Sequence, residues 1–366
     1  MKFTIEKKKI IKPLQKINSL ITKKSSNEIL GNILIEVNKK NILITATNTE
    51  IELIYKISNK YKYIKGKITV SGKKILEIFR IISDTLLIKI KLIKKKLYIF
   101  AKNSKFYLLT ISAKKFPYFK KNKNLIKFYI NQNILKNMLK YTFFSMPIND
   151  VRPYLNGTFL EFKKNYIRSI ATNGHRMSIF KKKKKNNFPI FSIILPRKST
   201  IELNKLLKNK KKPIKILFNK KIIQIYFKKN IFTSKLVNSQ FPKLDHILIQ
   251  KKKYIIKINK NKFKKALSHV SILVHEQIKG IYLKFKKNLC IITSSNHEEK
   301  AQYKFQIKYN YSKKIKLSVN INYLLDVLNV LKYNFIYLIL DENVQCLQIE
   351  VKEKKELKYI ILPLYI

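Results

Sequence analysis

The sequence predicts an α+β chain of three repeated domains, each with two helices packed on antiparallel sheets. Three observations predict it. Leu30 to Asn48 (LGNILIEVNKKNILITATN), Leu155 to Asn173 (LNGTFLEFKKNYIRSIATN) and Ile278 to Asn296 (IKGIYLKFKKNLCIITSSN) lie over one another without a gap. Each has a Gly near its start, two runs alternating large apolar with polar residues around a polar turn, and a small-small-Asn close, which is the pattern of a β-hairpin. The repeat returns after about 125 residues, far longer than a solenoid unit and about one domain of chain. The helical stretches also return in phase, and 366 residues divide by three.

Taken in order, each unit opens on a short strand that closes near Ile5, Ile130 or Ile258. Nine residues later comes a leucine, Leu14, Leu139 or Leu267, in an amphipathic stretch. The hairpin follows, and then a second helix: VSGKKILEIFRII from Val70, LPRKSTIELNKLL from Leu195 and VNINYLLDVLNVL from Val319, with an acid at one shared place (Glu77, Glu202, Asp326). Ser71 and Asn320 are expected to be N-caps and Pro196 a first-turn residue. The first two units close alike, as FYLLTISAKKFPYF from Phe106 and IFTSKLVNSQFPKL from Ile231, and the third closes as ELKYIILPLYI. The order is strand, helix, about three strands, helix, about three strands. Lys/Asn-rich joints at Lys121 to Asn124 and Gln250 to Lys253 give domains 1–124, 125–252 and 253–366.

Composition sets limits. There are 80 Lys+Arg against 20 acids, a net charge of +60, which taken alone suggests a nucleic-acid coat. Yet Lys, Ile, Asn, Tyr and Phe dominate while Gly is 6 and Trp 0, the pattern of a coding sequence drifting toward A and T, so much of the lysine is solvated surface. Arginine separates the two cases, because lysine replaces it as a point charge but not as a bidentate fork. Only Arg80, Arg152, Arg168, Arg176 and Arg197 exist, and the last four cluster in the middle unit, which points to a specific site there. No uncharged apolar run reaches about 18 residues, so no membrane partner is expected. The start MKFTIEKKKIIK lacks the apolar core of a signal peptide, and the isolated Cys290 and Cys346 suit a reducing cytoplasm, with Cys290 a core residue of its strand.

Catalytic motifs are missing: there is no glycine-rich phosphate loop, no paired-His metal motif and no nucleophile elbow, so no metal, cofactor or catalytic residue is expected. His175 sits in Thr172-Asn173-Gly174-His175-Arg176, but the other repeats place Thr49-Glu50-Ile51 and His297-Glu298-Glu299 there, so no general-base role recurs. A binding loop fits this pattern better than an enzyme's.

Several strings also carry a resemblance: NDVRPYLNG (Asn149 to Gly157), ATNGHRM (Ala171 to Met177), LPRKSTIEL (Leu195 to Leu203), FTSKLVNSQFP (Phe232 to Pro242) and NYLLDVLNVLK (Asn322 to Lys332). In this order and spacing, from MKFTIE to ILPLYI, the chain resembles the bacterial sliding clamps, the beta subunits of the replicative DNA polymerase (DNA polymerase III). The resemblance implies a head-to-tail homodimer of three clamp domains, ring-forming, with helices lining a hole for double-stranded DNA. A tether of this kind needs only to encircle, and a head-to-tail contact stays finite when its rotation closes.

By the same resemblance, Lys24, Lys73, Asn149, Tyr154 and Lys198 are the expected DNA contacts. They join a set of helix lysines (Lys7, Lys8, Lys9, Lys12, Lys74, Lys136, Lys140, Lys205, Lys260, Lys262, Lys264, Lys265) meeting phosphates without reading bases. Ile148 and Pro153 depart from the family pattern. A groove between the second and third domains is implied for short apolar-ended peptides of the polymerase catalytic subunit, the clamp loader, repair polymerases, ligase and mismatch-repair proteins. Its positions are Leu155, Thr172, Gly174, His175, Arg176, Met177, Pro242, Ile247, Ile360, Leu362, Pro363 and Leu364, flanked by Arg152, Tyr154, Asn320 and Tyr323. Apolar walls would take Leu and Phe anchors while the arginines orient the backbone. At the implied dimer joint, Ile272 and Leu273 face the region of Phe106, with Glu298 and Glu299 answered by Lys74 and Lys96. Lys300 and Lys304 stand where acids are expected, which implies a weaker dimer than is usual. The alternatives are a monomeric basic RNA- or ribosome-associated protein of the same fold, and an enzyme using Thr172 to Arg176.

Overall fold

The computed structural model describes the chain except for residues 22–27, 84–86, 120–123, 184–188, 243–247, 250, 296–298 and 365–366. Lys24, Ile247 and Glu298 lie outside the described residues.

The first repeat runs β1 (Lys2–Glu6), α1 (Lys7–Asn18), β2 (Asn32–Val37), β3 (Asn41–Thr47), β4 (Ile51–Ser58), β5 (Gly66–Ser71), α2 (Gly72–Ile81), β6 (Leu87–Ile93), β7 (Lys96–Ala101) and β8 (Ser104–Ser112). The second runs β9 (Ile126–Asn131), α3 (Gln132–Lys140), β10 (Gly157–Phe162), β11 (Tyr166–Thr172), β12 (Arg176–Lys183), β13 (Phe191–Pro196), α4 (Arg197–Leu206), β14 (Pro213–Phe218), β15 (Ile222–Tyr226) and β16 (Asn230–Lys235). The third runs β17 (Tyr254–Asn259), α5 (Lys260–Val270), β18 (Gly280–Lys286), β19 (Leu289–Ser295), β20 (Lys300–Gln306), β21 (Ile315–Asn320), α6 (Ile321–Val330), β22 (Phe335–Leu340), β23 (Leu347–Glu350) and β24 (Leu357–Ile361). The order is the same three times among the described residues, with four strands and not three after each first helix.

The three hairpins are in one register. Ile35 faces Ile44, Leu160 faces Ser169 and Leu283 faces Ile292, and these are equivalent places in the aligned strings. All six are buried, because alternation sends every second side chain of each strand to the core. Ser169 is the one polar member, and its hydroxyl is satisfied by donating to the Met138 carbonyl at 2.8 Å.

The helices follow from a 3.6-residue apolar stripe: Ile10, Leu14 and Ile17 are buried on α1, and Phe263, Ala266, Leu267 and Val270 on α5. Ser71 and Asn320 cap α2 and α6 by accepting from the Lys74 and Asn322 amides. Pro196 is not in the first turn. It is the N-cap of α4, at φ −54° and ψ 151°, because β13 pairs right up to it and holds it extended.

In all three repeats a lysine of the first helix donates to the carbonyl closing the second. Lys7 binds the Ile82 carbonyl, Lys136 the Leu207 carbonyl at 2.8 Å and Lys260 the Leu331 carbonyl at 3.1 Å. These carbonyls have no partner inside their helix and carry the negative end of its dipole, so an ammonium there is stabilised twice. Three of the lysines expected to meet phosphates are therefore engaged within the fold, and Lys7 is only 7% exposed.

Two compact units emerge. One comprises residues 1–132 and 210–236, the other residues 133–209 and 237–366. The first holds a twelve-stranded sheet ordered β1-β6-β7-β8-β5-β2-β3-β4-β16-β15-β14-β9, in which β16 of the second repeat pairs with β4 of the first. The second holds an eight-stranded sheet ordered β13-β10-β11-β12-β24-β23-β22-β17 and a four-stranded one ordered β20-β19-β18-β21. Here β24 of the third repeat pairs with β12 of the second. No helix among the described residues is long and apolar enough to cross a membrane.

Candidate functional site

The site is built within the second unit where β11 turns into β12 and β24 runs alongside. The Thr172–Arg176 corner is fixed by its own side chains. Thr172 Oγ1 accepts from the Gly174 amide at 3.1 Å and donates to the Arg176 carbonyl at 2.7 Å. Asn173 Oδ1 accepts from the amides of His175 and Arg176 at 3.1 and 3.0 Å. Short polar side chains satisfy a turn's backbone in this way. Gly174 sits at φ +91°, and a Cβ there would lie 3.3 Å from Arg152 Nη2, so the glycine serves both the turn and the approach of Arg152. The last strand then docks on the corner: Leu362 N donates to the His175 carbonyl at 2.9 Å, while Met177 faces Ile360 across the ladder.

A cleft of about 310 Å³ opens there, and Arg152, Tyr154, Leu155, Thr172, Gly174, His175, Arg176, Met177, Pro242, Ile360 and Leu362 line it. All eleven were named from sequence. Four others were not brought into the lining. Asn320 is occupied capping α6, and Leu364 is tied by its amide to the Ser318 carbonyl at 2.8 Å. Tyr323 lies beneath Arg176, with the guanidinium 4.6 Å from its ring, and its hydroxyl accepts from Asn173 Nδ2 at 3.2 Å. Pro363 lies between Leu362 and Leu364 without lining the cleft.

The floor is apolar and buried. Leu155, Met177 and Ile360 are each no more than 4% exposed, and the last two continue into a cluster with Ile170, Ile179, Ile249, Ile339 and Cys346. Tyr154 meets the edge of Phe241, whose ring stacks on Phe159 at 4.4 Å. The two arginines are held differently. Arg176 donates to Asp326 Oδ2 at 2.6 Å and to the Phe144 carbonyl at 2.5 Å, and its side chain is 11% exposed while Nε is buried without a partner. Arg152 stands out in solvent, forked onto Asp150 at 2.9 and 3.1 Å. That guanidinium, with the Arg152 amide, holds the Asp150 carboxyl down at about 2. An apolar floor under an oriented cationic rim suits an extended apolar segment whose backbone needs partners.

Asp326, Phe144 and Phe241 carry this geometry and were missed as site residues. Asp326 had a signal, the acid recurring with Glu77 and Glu202. The arginine cluster divides: Arg168 instead pairs with Glu161 at 2.9 Å, and Arg197 donates to the Met146 carbonyl at 3.0 Å. Asn149 and Lys198 are exposed, as is Lys73, which is 4.0 Å from Glu77. In the second unit Ile272 is 79% exposed and Leu273 half-buried; in the first, Phe106 is half-buried on β8, Lys74 exposed, and Lys96 lies over the Tyr107 ring at 4.6 Å.

Three family models match in series: DNA polymerase III beta subunit, N-terminal domain over residues 1–120, central domain over 129–243 and C-terminal domain over 245–365. The beta sliding clamp of Buchnera aphidicola subsp. Rhopalosiphum padi is 41% identical over 363 residues, 99% of each chain. That of Escherichia coli K12 is 30% identical over 365 residues, 100% of each. The crystal structure of DNA polymerase III subunit beta from Pseudomonas aeruginosa matches with a TM-score of 0.95 at 29% identity, covering 100% of both chains, and a second structure from that organism at the same score is bound to griselimycin. With all three domain models matched in order along the whole chain, the protein belongs to the DNA polymerase III beta-subunit family, the bacterial beta sliding clamps.

Proposed function

We propose that the cleft beside Arg176 is where this DNA sliding clamp takes its partners, and that two copies close head to tail around duplex DNA. As a clamp of replication the chain is a processivity factor with no catalytic step of its own. The polymerase catalytic subunit, the clamp loader and repair proteins would enter the cleft by a short peptide, with Leu or Phe anchors on Leu155, Met177 and Ile360 and its backbone along Arg152 and His175. The observation that supports this reading is the apolar-floored cleft itself, whose eleven lining residues are all among the positions that the sequence resemblance implies for a partner peptide. The three repeats act as clamp domains with joints near 124 and 252, in the cytoplasm. Lys73, Asn149, Tyr154 and Lys198 touch DNA.

The dimer joint is assigned to β8 and β20. Among the described residues, 104–109 of β8 pair only with β7 and β20 pairs only with β19, so each strand has a backbone edge without a ladder partner there. Ile272 and Leu273 would seal the joint against Phe106. Native mass should give a dimer, and Ile272→Ala with Leu273→Ala should return the monomer, at roughly 2–5 kcal/mol per side chain. A monomer at high micromolar concentration in the unaltered protein would overturn the ring.

The net charge of +60 favours a second reading, a monomeric basic coat. Retention on DNA circles at or above physiological ionic strength decides between them. A coat loses affinity at a log-log slope of about −0.9 per phosphate contact, whereas a loaded ring survives the wash and slides off when the circle is cut. Equal retention on circular and linear DNA would refute the clamp mechanism here.

A further inference from the structure

The sheet formed by β1, β6, β7 and β8 buries Phe3, Ile5, Ile88, Ile90, Leu97 and Ile99 on one side, so alternation turns Lys2, Thr4, Lys89, Lys91, Tyr98, Phe100, Lys105 and Tyr107 to the other. The register sets these in rows. Lys2 faces Lys91, which faces Tyr98, which faces Tyr107; Thr4 faces Lys89, which faces Phe100, which faces Lys105. The three rings form a connected platform. Tyr98 and Phe100 stack with centroids 6.1 Å apart, and Tyr98 and Tyr107 are 5.9 Å apart. Lys105 lies over Tyr98 and Phe100, 5.5 and 5.8 Å from their centroids, and Lys96 over Tyr107 at 4.6 Å, so each ring carries a flexible ammonium that a stacking base would displace toward its own phosphate. Glu6, at the far end of β1, is the carboxylate nearest in register, and it is engaged by Lys9 and by the Tyr61 hydroxyl at 2.9 Å. Elsewhere on the same twelve-stranded sheet, Tyr129 and Tyr226 are kept apart by Lys215 on the strand between them.

We propose that this face binds single-stranded nucleic acid, with unpaired bases stacked on Tyr98, Phe100 and Tyr107 and the backbone phosphates met by Lys2, Lys89, Lys91 and Lys105. Connected aromatic rings bordered by cations are the two components of a sequence-tolerant single-strand platform. Charge alone would make any polyanion a ligand, but the rings add a term that duplex DNA cannot use, since its bases are already stacked and paired. The face is therefore a site separate from any duplex contact, and it adjoins the β8 edge assigned above to the dimer joint, since Lys105 and Tyr107 belong to that stretch.

The test is fluorescence anisotropy of the full-length protein at physiological ionic strength, with an oligothymidylate of about 15 nucleotides and a duplex of the same length. Tyr98→Ile with Tyr107→Ile keeps strand-forming side chains while removing two flat rings. Oligothymidylate affinity should fall roughly tenfold for each ring while duplex affinity holds, which also reports an intact fold. Unchanged oligothymidylate binding, or an equal loss for both nucleic acids, would overturn the proposal in favour of a charge coat. Loss confined to vesicles of phosphatidylserine would overturn it in favour of a membrane surface.

Discussion

The corner at Thr172–Arg176 has a twin at Thr47–Ile51. In the first repeat Thr47 Oγ1 accepts from the Thr49 amide at 3.1 Å, and Asn48 Oδ1 accepts from the amides of Glu50 and Ile51 at 3.1 and 2.8 Å, which repeats three of the four side-chain bonds of the second corner. The neighbouring strand docks alike, Lys235 N onto the Glu50 carbonyl at 2.9 Å as Leu362 N onto that of His175. The difference lies in what the corner carries. Ile51 is wholly buried, so the first corner ends in core, whereas Arg176 is held at the edge of a cleft by Asp326, Phe144 and Tyr323. One backbone device thus serves packing in one repeat and recognition in another, and side chains alone decide which.

The largest effect that would sharpen this contrast is on stability. Ile51→Ala should cost about 2–5 kcal/mol in urea unfolding through the cavity it leaves, with peptide affinity unaltered. Next, Arg176→Ala should weaken a Gln-Leu-x-Leu-Phe-type peptide by about 2 kcal/mol or more in calorimetry. Its dimer should remain intact. If both variants lost stability and neither lost binding, the corners would not differ in role. Smaller and opposite effects are expected from exchanging the third corner residue. Thr49 is at φ 72°, which a β-branched side chain tolerates poorly, so Thr49→Gly should stabilise the protein, whereas Gly174→Thr should destabilise it and crowd Arg152, each by about 1–2 kcal/mol.

The smallest concerns pH. Asp150 is held below the ordinary carboxylate range, so its fork with Arg152 contributes above about 3.8 and is lost as pH falls through about 2. A carboxyl-carbon NMR titration should place that midpoint, and Arg152→Gln should return it toward 3.8. A midpoint unmoved by the substitution would mean the fork is not what holds Asp150.

The repeat made the fold legible. Gapless alignment gave hairpin register and helix order, and residue type gave the caps Ser71 and Asn320, because these depend on spacing within about twenty residues. The cleft lining came from motif resemblance at Asn149 to Gly157 and Ala171 to Met177, which periodicity alone would not have supplied. What escaped were contacts between distant segments: Asp326 reaching Arg176 from 150 residues away, Phe144 offering a carbonyl, and Lys7 closing a helix end. Lys7 and Lys260 stand three residues before Ile10 and Phe263, in line with the buried stripes of their helices, so the local pattern gives their face but not the distant carbonyl that each one meets. Pro196 was misplaced by one step for a related reason, as strand pairing outranked a first-turn preference.

The three lysines that close the second helices give the chain's chemistry an unevenness that its composition conceals. Amine-directed labelling needs a side-chain nitrogen that can leave its hydrogen-bond partner and meet the reagent. Lys7, Lys136 and Lys260 should thus be among the last to be acetylated, and once forced to react they should loosen a helix pair where other lysines change only charge. A mass-spectrometric time course of labelling would then trace the three repeats as three slow sites, a fingerprint of the domain symmetry written in reaction rates.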